Sequence, residues 1–159
     1  MSISHFVLKD QNDQEVKFAD FAGKKYLLSF HPRAWTSVCT HQMQDLDERH
    51  DDFTARGIAP FGLSIDHQFC KKAWAESMGL KKLLLLSDFW PPGALAEALG
   101  CFIEKAGMSG RQNYLIGPDG EVLWTQRYEI KARPDLDPCM SELPGYGLVK
   151  TTLCKGGGS

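Results

Sequence analysis

The chain has 159 residues, of which 43% are hydrophobic and 24% are charged. This length and composition are typical of one folded globular domain and exclude collagen-like, coiled-coil and largely disordered chains. The net charge of -2 leaves no basic excess for nucleic acid or an anionic membrane surface. No apolar run approaches the roughly 20 residues of a membrane span, so we expect neither a nucleic-acid nor a membrane partner.

The N-terminal half alternates strands and helices. Residues 6–8 and 15–18 alternate apolar and polar side chains around a polar turn, which predicts a small β-hairpin at a sheet edge. Residues 26–30 predict a buried strand that ends at His31-Pro32, because proline cannot donate a ladder hydrogen bond. Helical spacing predicts one long helix from residue 37 to about 54. A second buried strand over 58–65 and a helix over 68–78 follow.

The C-terminal half continues this alternation. We predict a third strand over 83–86, a short helix over 94–99, and a closing hairpin over 114–116 and 122–128 around the turn GPDG. Prolines and glycines then predict an irregular arm over 131–154 within a single domain of residues 1–154, with 155–159 as a linker or disordered tail. The order predicts an α/β fold of the thioredoxin-like arrangement: a central mixed β-sheet flanked by helices, with an N-terminal β-hairpin.

Five cysteines stand at positions 39, 70, 101, 139 and 154, without a CxxC pair. An odd number at wide spacing disfavours a disulfide scaffold, and the missing CxxC pair disfavours a zinc site or a thioredoxin-type dithiol. The histidines show no paired ligand spacing, so we expect no metal and no cofactor. The first residues lack the pattern of a secretory signal, and we therefore expect a cytoplasmic protein with reduced thiols.

Cys39 lies where a helix start follows the predicted strand over 26–30. In the first turn of a helix, unpaired backbone N–H groups and the positive end of the helix dipole favour a thiolate over a thiol. Thr36 precedes Cys39 by three residues, close enough for its hydroxyl to contact the sulfur, and Pro32 can shield the sulfur from water. The alternative is a small buried side chain without chemistry, which is the commonest role of a lone cysteine.

Pro32, Thr36 and Cys39 reproduce the P-x-x-x-T-x-x-C motif of the peroxiredoxins, which the chain resembles over about residues 3–130. The segments AWAESMGL, LLLLSDFWPPGALAEALGCF and GRQNYLIGPDGEV resemble the one-cysteine alkyl hydroperoxide reductase E-like branch in particular. In this family an arginine at a strand start reaches back to the active site, and Arg111 has that place. The resemblance implies a thiol-dependent peroxidase acting on hydrogen peroxide and organic hydroperoxides: Cys39 attacks the peroxide and becomes sulfenic acid, while Arg111 and Thr36 align the two oxygens.

The sulfenic acid must then be reduced. The family resemblance implies either an external thiol reductant, such as thioredoxin or a glutaredoxin-like protein, or a resolving cysteine within the protein. Gln44 stands where one subtype has that cysteine, five residues after the attacking one. Cys70, Cys139 and Cys154 stay open as resolving cysteines, whereas Cys101, in an apolar stretch, is expected to be a core thiol.

Three further expectations concern the surroundings of the motif. His31 stands where the family more often has an aromatic residue; a protonated ring would favour the thiolate, and a hydrogen-bonded filler is the alternative. Trp35 is the expected contact of a homodimer formed through the active-site loops. The rival function is a peroxide sensor or redox relay that transfers oxidation to a partner without efficient turnover. A disulfide reductase is disfavoured, because Gln42 stands where its second cysteine would be.

Overall fold

The computed structural model describes residues 2–132 and 134. The predicted arm and tail therefore lie outside the described residues, apart from positions 131, 132 and 134. The strands are β1 (Val7–Lys9), β2 (Glu15–Lys17), β3 (Lys25–Phe30), β4 (Ile58–Ser64), β5 (Leu84–Ser87), β6 (Phe102–Ile103), β7 (Met108–Ser109), β8 (Arg111–Ile116) and β9 (Val122–Tyr128). The α-helices are α1 (Ser37–Glu48), α2 (His50–Ala55), α3 (Gln68–Met78) and α4 (Ala94–Leu99), and 3-10 turns span Phe18–Phe21 and Glu104–Ala106.

Seven strands form one mixed sheet in the order β2-β1-β5-β4-β3-β8-β9. The central strands β3, β4 and β5 run parallel, and the hairpins β1–β2 and β8–β9 join them in antiparallel fashion on either side. Because parallel neighbours place their carboxyl ends at one edge, the loops that follow β3, β4 and β5 lie together. The predicted mixed sheet with an N-terminal hairpin at its edge is confirmed.

Helices cover both faces of the sheet. Met43 of α1 and Trp74 of α3 belong to the hydrophobic cluster on one face, and Leu95 of α4 belongs to the cluster on the other. The adjacent residues Leu27 and Leu28 of β3 belong to opposite clusters, because successive side chains of a strand point to opposite faces. Burial on both faces explains why β3 is a continuous apolar run in the sequence.

The predicted first long helix is wrong, since the structure has two helices that meet at Arg49. The backbone of Arg49 (φ -96°, ψ 8°) leaves the helical region, so it ends α1 and precedes α2. Phe53 of α2 still packs in the same core cluster as Leu46 of α1. This preserved spacing of apolar side chains explains why the pattern predicted one helix.

The helices α3 and α4 have the predicted bounds, and each ends at a glycine with positive φ, Gly79 (68°) and Gly100 (85°). The last hairpin differs from the prediction, because β8 already begins at Arg111. The two-residue strands β6 and β7 were not predicted, since two residues are too few to show a period. Within residues 2–132, none of the helices has the length and apolar character needed to cross a bilayer.

Candidate active site

Cys39 is the third residue of α1, at the edge where the parallel strands end. Thr36 is the N-cap of α1 and has extended backbone (φ -85°, ψ 151°). Trp35 before it adopts a φ of 70°, which is uncommon for residues other than glycine, so the chain turns sharply here. Asp66, from the loop after β4, holds this turn because its Oδ2 accepts a hydrogen bond from the backbone N–H of Ala34 at 2.8 Å.

All four residues that the sequence predicts for the site line one cavity of about 340 Å³: Pro32, Thr36, Cys39 and Arg111. Cys39 is fully buried and is one of the residues that line this cavity. Of the six other residues that line the cavity, three are apolar and two are basic. The other lining residues are Arg33, Ser37, Val38, Met108, Ile130 and Lys131.

The guanidinium of Arg111 contacts the thiol of Cys39. Arg111 begins β8, is only 2% exposed, and donates from Nη1 to Sγ of Cys39 at 3.4 Å. Its Nε and Nη2 both donate to the backbone carbonyl of Ile130, at 3.0 and 2.6 Å. A planar guanidinium that donates two hydrogen bonds to one carbonyl oxygen has little freedom to rotate. A positive charge is therefore fixed next to the sulfur.

Gln42 supports the same guanidinium, a role that no sequence pattern predicts. It lies one turn after Cys39 on α1, and its Oε1 accepts a hydrogen bond from Nη1 of Arg111. Its Nε2 donates to Oγ of Ser29 at 2.8 Å, and that hydroxyl donates to Oδ1 of Asn113 at 2.6 Å. All of these side chains are buried. The only sign of this network in the sequence is that polar residues occupy positions where the helix and strand patterns predict buried apolar side chains.

Thr36 and Pro32 form part of the cavity wall. The hydroxyl of Thr36 donates to the backbone carbonyl of Arg33 at 3.0 Å rather than to the sulfur of Cys39. A hydroxyl oxygen that donates its proton still has two lone pairs, so Thr36 can accept a hydrogen bond from a molecule in the cavity. Pro32 is buried and has no N–H to offer, and it contributes only apolar surface.

His31 is fully buried beside the motif, and neither of its ring nitrogens has a hydrogen-bond partner. Burial, with the positive charges of Lys71 and Arg111, lowers the pKa of His31 well below its ordinary value. The ring is therefore neutral, in contrast to the protonated form that would favour a thiolate. The ring packs against that of Trp74, with centroids 5.1 Å apart.

The other described cysteines differ in accessibility. Cys70 is an exposed free thiol and is the third residue of α3, as Cys39 is of α1. Cys101 is buried in the second core cluster, and burial raises its pKa to about 12, as expected of an unreactive core thiol. Cys139 and Cys154 lie outside the described residues. In the part of the chain that the structure describes, no three metal-binding side chains gather into a site.

Comparisons with known proteins identify the family of the chain. A family model described as the AhpC/TSA family matches residues 2–125. The chain is 34% identical over 122 residues to alkyl hydroperoxide reductase E of Mycobacterium tuberculosis, which covers 76% of this chain and 79% of that protein. It is 31% identical over 134 residues to a putative peroxiredoxin of the same organism, with coverage of 80% and 82%.

The fold is also shared with solved structures. The crystal structure of Enterococcus faecalis AhpC superposes with a TM-score of 0.79 at 23% identity, covering 92% of this chain and 93% of that one. A Plasmodium vivax 2-Cys peroxiredoxin in its reduced form superposes with a TM-score of 0.76 at 24% identity, covering 84% and 72%. The family match over most of the sequence and the shared fold lead to one conclusion: the chain belongs to the AhpC/TSA family, the peroxiredoxins, and is a thiol-dependent peroxidase.

Proposed function

We propose that this protein reduces hydrogen peroxide and organic hydroperoxides with Cys39 as the attacking group. One observation carries the proposal: Nη1 of Arg111 lies 3.4 Å from the Cys39 sulfur, and both residues line the same cavity. A fixed cation beside a sulfur supports negative charge on it, and the thiolate is the nucleophilic form of cysteine.

In the proposed reaction the thiolate attacks the terminal oxygen of the hydroperoxide. A sulfur–oxygen bond forms and the oxygen–oxygen bond breaks, so Cys39 is oxidised to sulfenic acid. The leaving oxygen departs with the electron pair and takes a proton, to give water or an alcohol. Arg111 stabilises the charge that moves onto the oxygens, while Thr36 accepts a hydrogen bond from the peroxide and so aligns it.

The wall of the cavity supports organic hydroperoxides as substrates. Val38, Met108 and Ile130, which have apolar or thioether side chains, line the same cavity as Cys39. A hydroperoxide with an apolar substituent would bury that substituent against these residues and gain binding energy in proportion to the area removed from water. The M. tuberculosis relative is itself named an alkyl hydroperoxide reductase.

For the second half of the cycle we propose an external thiol reductant, such as thioredoxin or a glutaredoxin-like protein. The thiol condenses with the sulfenic acid, releasing water and leaving a mixed disulfide, which a second thiol then reduces. Cys70 is the exposed candidate for an internal resolving cysteine. Cys139 and Cys154 stay candidates by position in the sequence alone.

We also propose a homodimer formed through the active-site edge. Four large apolar side chains are exposed on the loops and first helical turn at this edge: Trp35 (54%), Phe69 (63%), Phe89 (45%) and Trp90 (81%). The ring of His67 contacts both Phe69 and Phe89, with centroids 4.9 and 4.8 Å apart. Clustered exposed aromatic residues are typical of protein interfaces.

Light scattering across a concentration series tests the dimer. We expect a dimer for the native protein and a monomer for Trp35→Glu, whereas Val122→Glu, which places the same charge on an exposed strand residue at the opposite end of the sheet, stays dimeric. A native monomer at every concentration would rule out the homodimer.

Intact mass of the reduced protein after one equivalent of hydrogen peroxide, with and without dimedone, tests the chemistry. We expect a dimedone adduct in the native protein and in Cys70→Ser, and none in Cys39→Ser. A disulfide that Cys70→Ser abolishes would make Cys70 the resolving cysteine and contradict reduction by an external thiol alone. The absence of rapid modification at Cys39 would rule out the proposed function.

Turnover separates the peroxidase from the redox relay. With thioredoxin and its reductase supplying electrons, or with a glutaredoxin system, we expect many equivalents of peroxide to be consumed per protein. Oxidation of Cys39 that stops after one equivalent with every reductant would instead support the relay.

A further inference from the structure

Lys71 is a buried charged residue that the proposed reaction does not use. It lies on α3 with no exposed surface, whereas Lys72 beside it is exposed. Lysine is almost never fully buried unless it is paired, because removing an ammonium group from water is costly. Within the described residues, no carboxylate forms a salt bridge with Lys71, and its Nζ donates one hydrogen bond, to the backbone carbonyl of Leu86. Its burial therefore requires an explanation.

The surroundings of Lys71 are the ends of the three parallel strands. The carboxylate of Asp66 accepts from Ser64 and from the turn before α1, and that of Asp88 accepts two backbone N–H groups at the start of α4. Both carboxylates are thus occupied elsewhere. The titratable groups whose charges interact with that of Lys71 are His31 after β3, Asp66 after β4, Asp88 after β5, Cys70 on its own helix and Cys39 on α1.

A chain of contacts connects this region to the active-site turn. Trp74 follows Lys71 by one turn of α3 and packs on the ring of His31, the residue before Pro32. Its Nε1 also donates to Oγ1 of Thr40, the neighbour of Cys39, at 3.1 Å. Arg111 belongs to β8, which pairs with β3 on one side. Lys71 donates to Leu86 of β5, which lies on the other side of β3, beyond β4.

We propose that Lys71 is a positioning residue whose buried ammonium group stabilises the thiolate of Cys39 together with Arg111. This inference rests on the proposed function, in which Cys39 is the attacking thiol. A charge inside the protein acts through a lower effective dielectric than a surface charge and is poorly screened by salt. Stabilisation of the Cys39 thiolate gives a functional reason for a buried lysine whose desolvation lowers the stability of the fold.

The contribution of Lys71 depends on pH. Burial lowers the pKa of Lys71 to about 7. The negative charges of Asp66, Asp88 and the ionised forms of Cys70 and Cys39 act to raise this pKa, but their effect is smaller. Its positive charge is therefore complete below this pH and disappears as the pH rises through it. Below this pH the charge of Lys71 favours the thiolate of Cys39, and above it this support is lost.

The rate of alkylation of Cys39 by iodoacetamide, measured from pH 4 to 9, tests this proposal, because only the thiolate reacts. The modified Cys39 peptide is quantified by mass spectrometry in the full chain, so that other cysteines do not contribute. For Lys71→Met we expect a rate at pH 6 that is lower by about three- to tenfold. The matched control Lys72→Met removes the same charge from the exposed neighbour and should follow the native curve.

Two further variants separate charge from packing. Lys71→Gln is neutral but keeps an N–H donor for the carbonyl of Leu86, and it should behave like Lys71→Met. Lys71→Arg keeps the charge at every pH and should restore the native rate at pH 6. Addition of 1 M KCl should leave the difference between native protein and Lys71→Met largely unchanged.

The proposal is overturned if either neutral variant folds, as judged by circular dichroism, and gives the same curve as Lys72→Met. It is also overturned if Lys71→Arg folds and fails to restore the rate. A failure of the proposed function looks different: Cys39 of the native protein would then react no faster with peroxide than an ordinary thiol, whatever residue stands at position 71.

Discussion

At the scale of single residues, Arg111 has the most specific geometry. It binds a sulfur, a side-chain amide and a backbone carbonyl at the same time, and only a guanidinium has donors in a planar fork for such a set. Lysine has the same charge but cannot reproduce the fork. Substitution at this position therefore separates the effect of charge from the effect of its placement.

We expect Arg111→Lys to slow the oxidation of Cys39 by hydrogen peroxide about 10- to 100-fold, and Arg111→Met about 100- to 1,000-fold, because a fixed donor to the developing charge is lost. Rapid-quench mass spectrometry of the sulfenic acid measures this rate. Arg127→Lys, at an exposed arginine of β9, is the control and should react like the native protein. An unchanged rate in Arg111→Met would remove Arg111 from the mechanism.

Gln42 is expected to contribute to stability as well as to rate. Gln42→Met leaves buried polar groups of Ser29 and Arg111 without one of their partners, which costs about 1–3 kcal/mol of unfolding free energy. Urea denaturation measures this loss, and peroxide kinetics should show a slower attack. Gln44→Met, two residues later and only partly buried, is the control. Equal stability of the two variants would contradict the role of the network.

The motif residues Pro32, Thr36 and Cys39 were predictable because they lie close together in the sequence, around one turn. Gln42, Ser29 and Asn113 were not, since they come from α1, β3 and β8 and meet only when the sheet forms. Lys71 was missed for a similar reason: two adjacent lysines on a helix look like a solvated face, and only the packing of α3 buries one of them.

At the scale of elements, the packing of α1 on β4 depends on Gly62. A Cβ added there would overlap Sδ of Met43 and lie 2.8 Å from Cδ2 of Leu85. The absent side chain allows the helix that bears Cys39 to approach the sheet closely.

Element positions were well predicted where a strand or helix is bounded by glycine or proline. They were wrong at Arg49, where apolar spacing continues across a break in the backbone.

We therefore expect Gly62→Ala to destabilise the protein by about 1–3 kcal/mol, because an added methyl group overpacks this contact. Thermal unfolding should show a melting temperature lower by about 2–4 °C per kcal/mol. The double variant Gly62→Ala/Met43→Ala makes room for the new methyl group, so its loss should be smaller than the sum of the two single losses. Additive losses would show that Gly62 is not needed for this contact.

At the scale of the whole molecule, the arrangement of the sheet was predictable because strand and helix signals alternate along the chain and hairpin signals occur at both ends. The buried polar groups at the carboxyl edge were not predictable from such signals. They affect the stability of the entire fold, since a buried ionisable group links unfolding to protonation.

Lys71 should make stability depend on pH. Between its folded pKa of about 7 and its ordinary value of 10.5, the unfolded chain binds more protons, so the unfolding free energy rises with pH in this interval. The slope from Lys71 alone approaches about 1.4 kcal/mol per pH unit. Urea denaturation at pH 7 to 8.5 should show a steeper rise for the native protein than for Lys71→Met. Parallel pH dependences of the two unfolding free energies would mean that folding leaves the pKa of Lys71 at its ordinary value.

The two hydrogen bonds from Arg111 to the carbonyl of Ile130 have an evolutionary consequence. Every amino acid supplies the same backbone carbonyl, so this anchor of the guanidinium is indifferent to which side chain stands at position 130. Its location, however, depends on the count of residues along β9. Homologous proteins that use this anchor should therefore tolerate substitutions here freely, while insertions or deletions between the end of β9 and position 130 should be selected against.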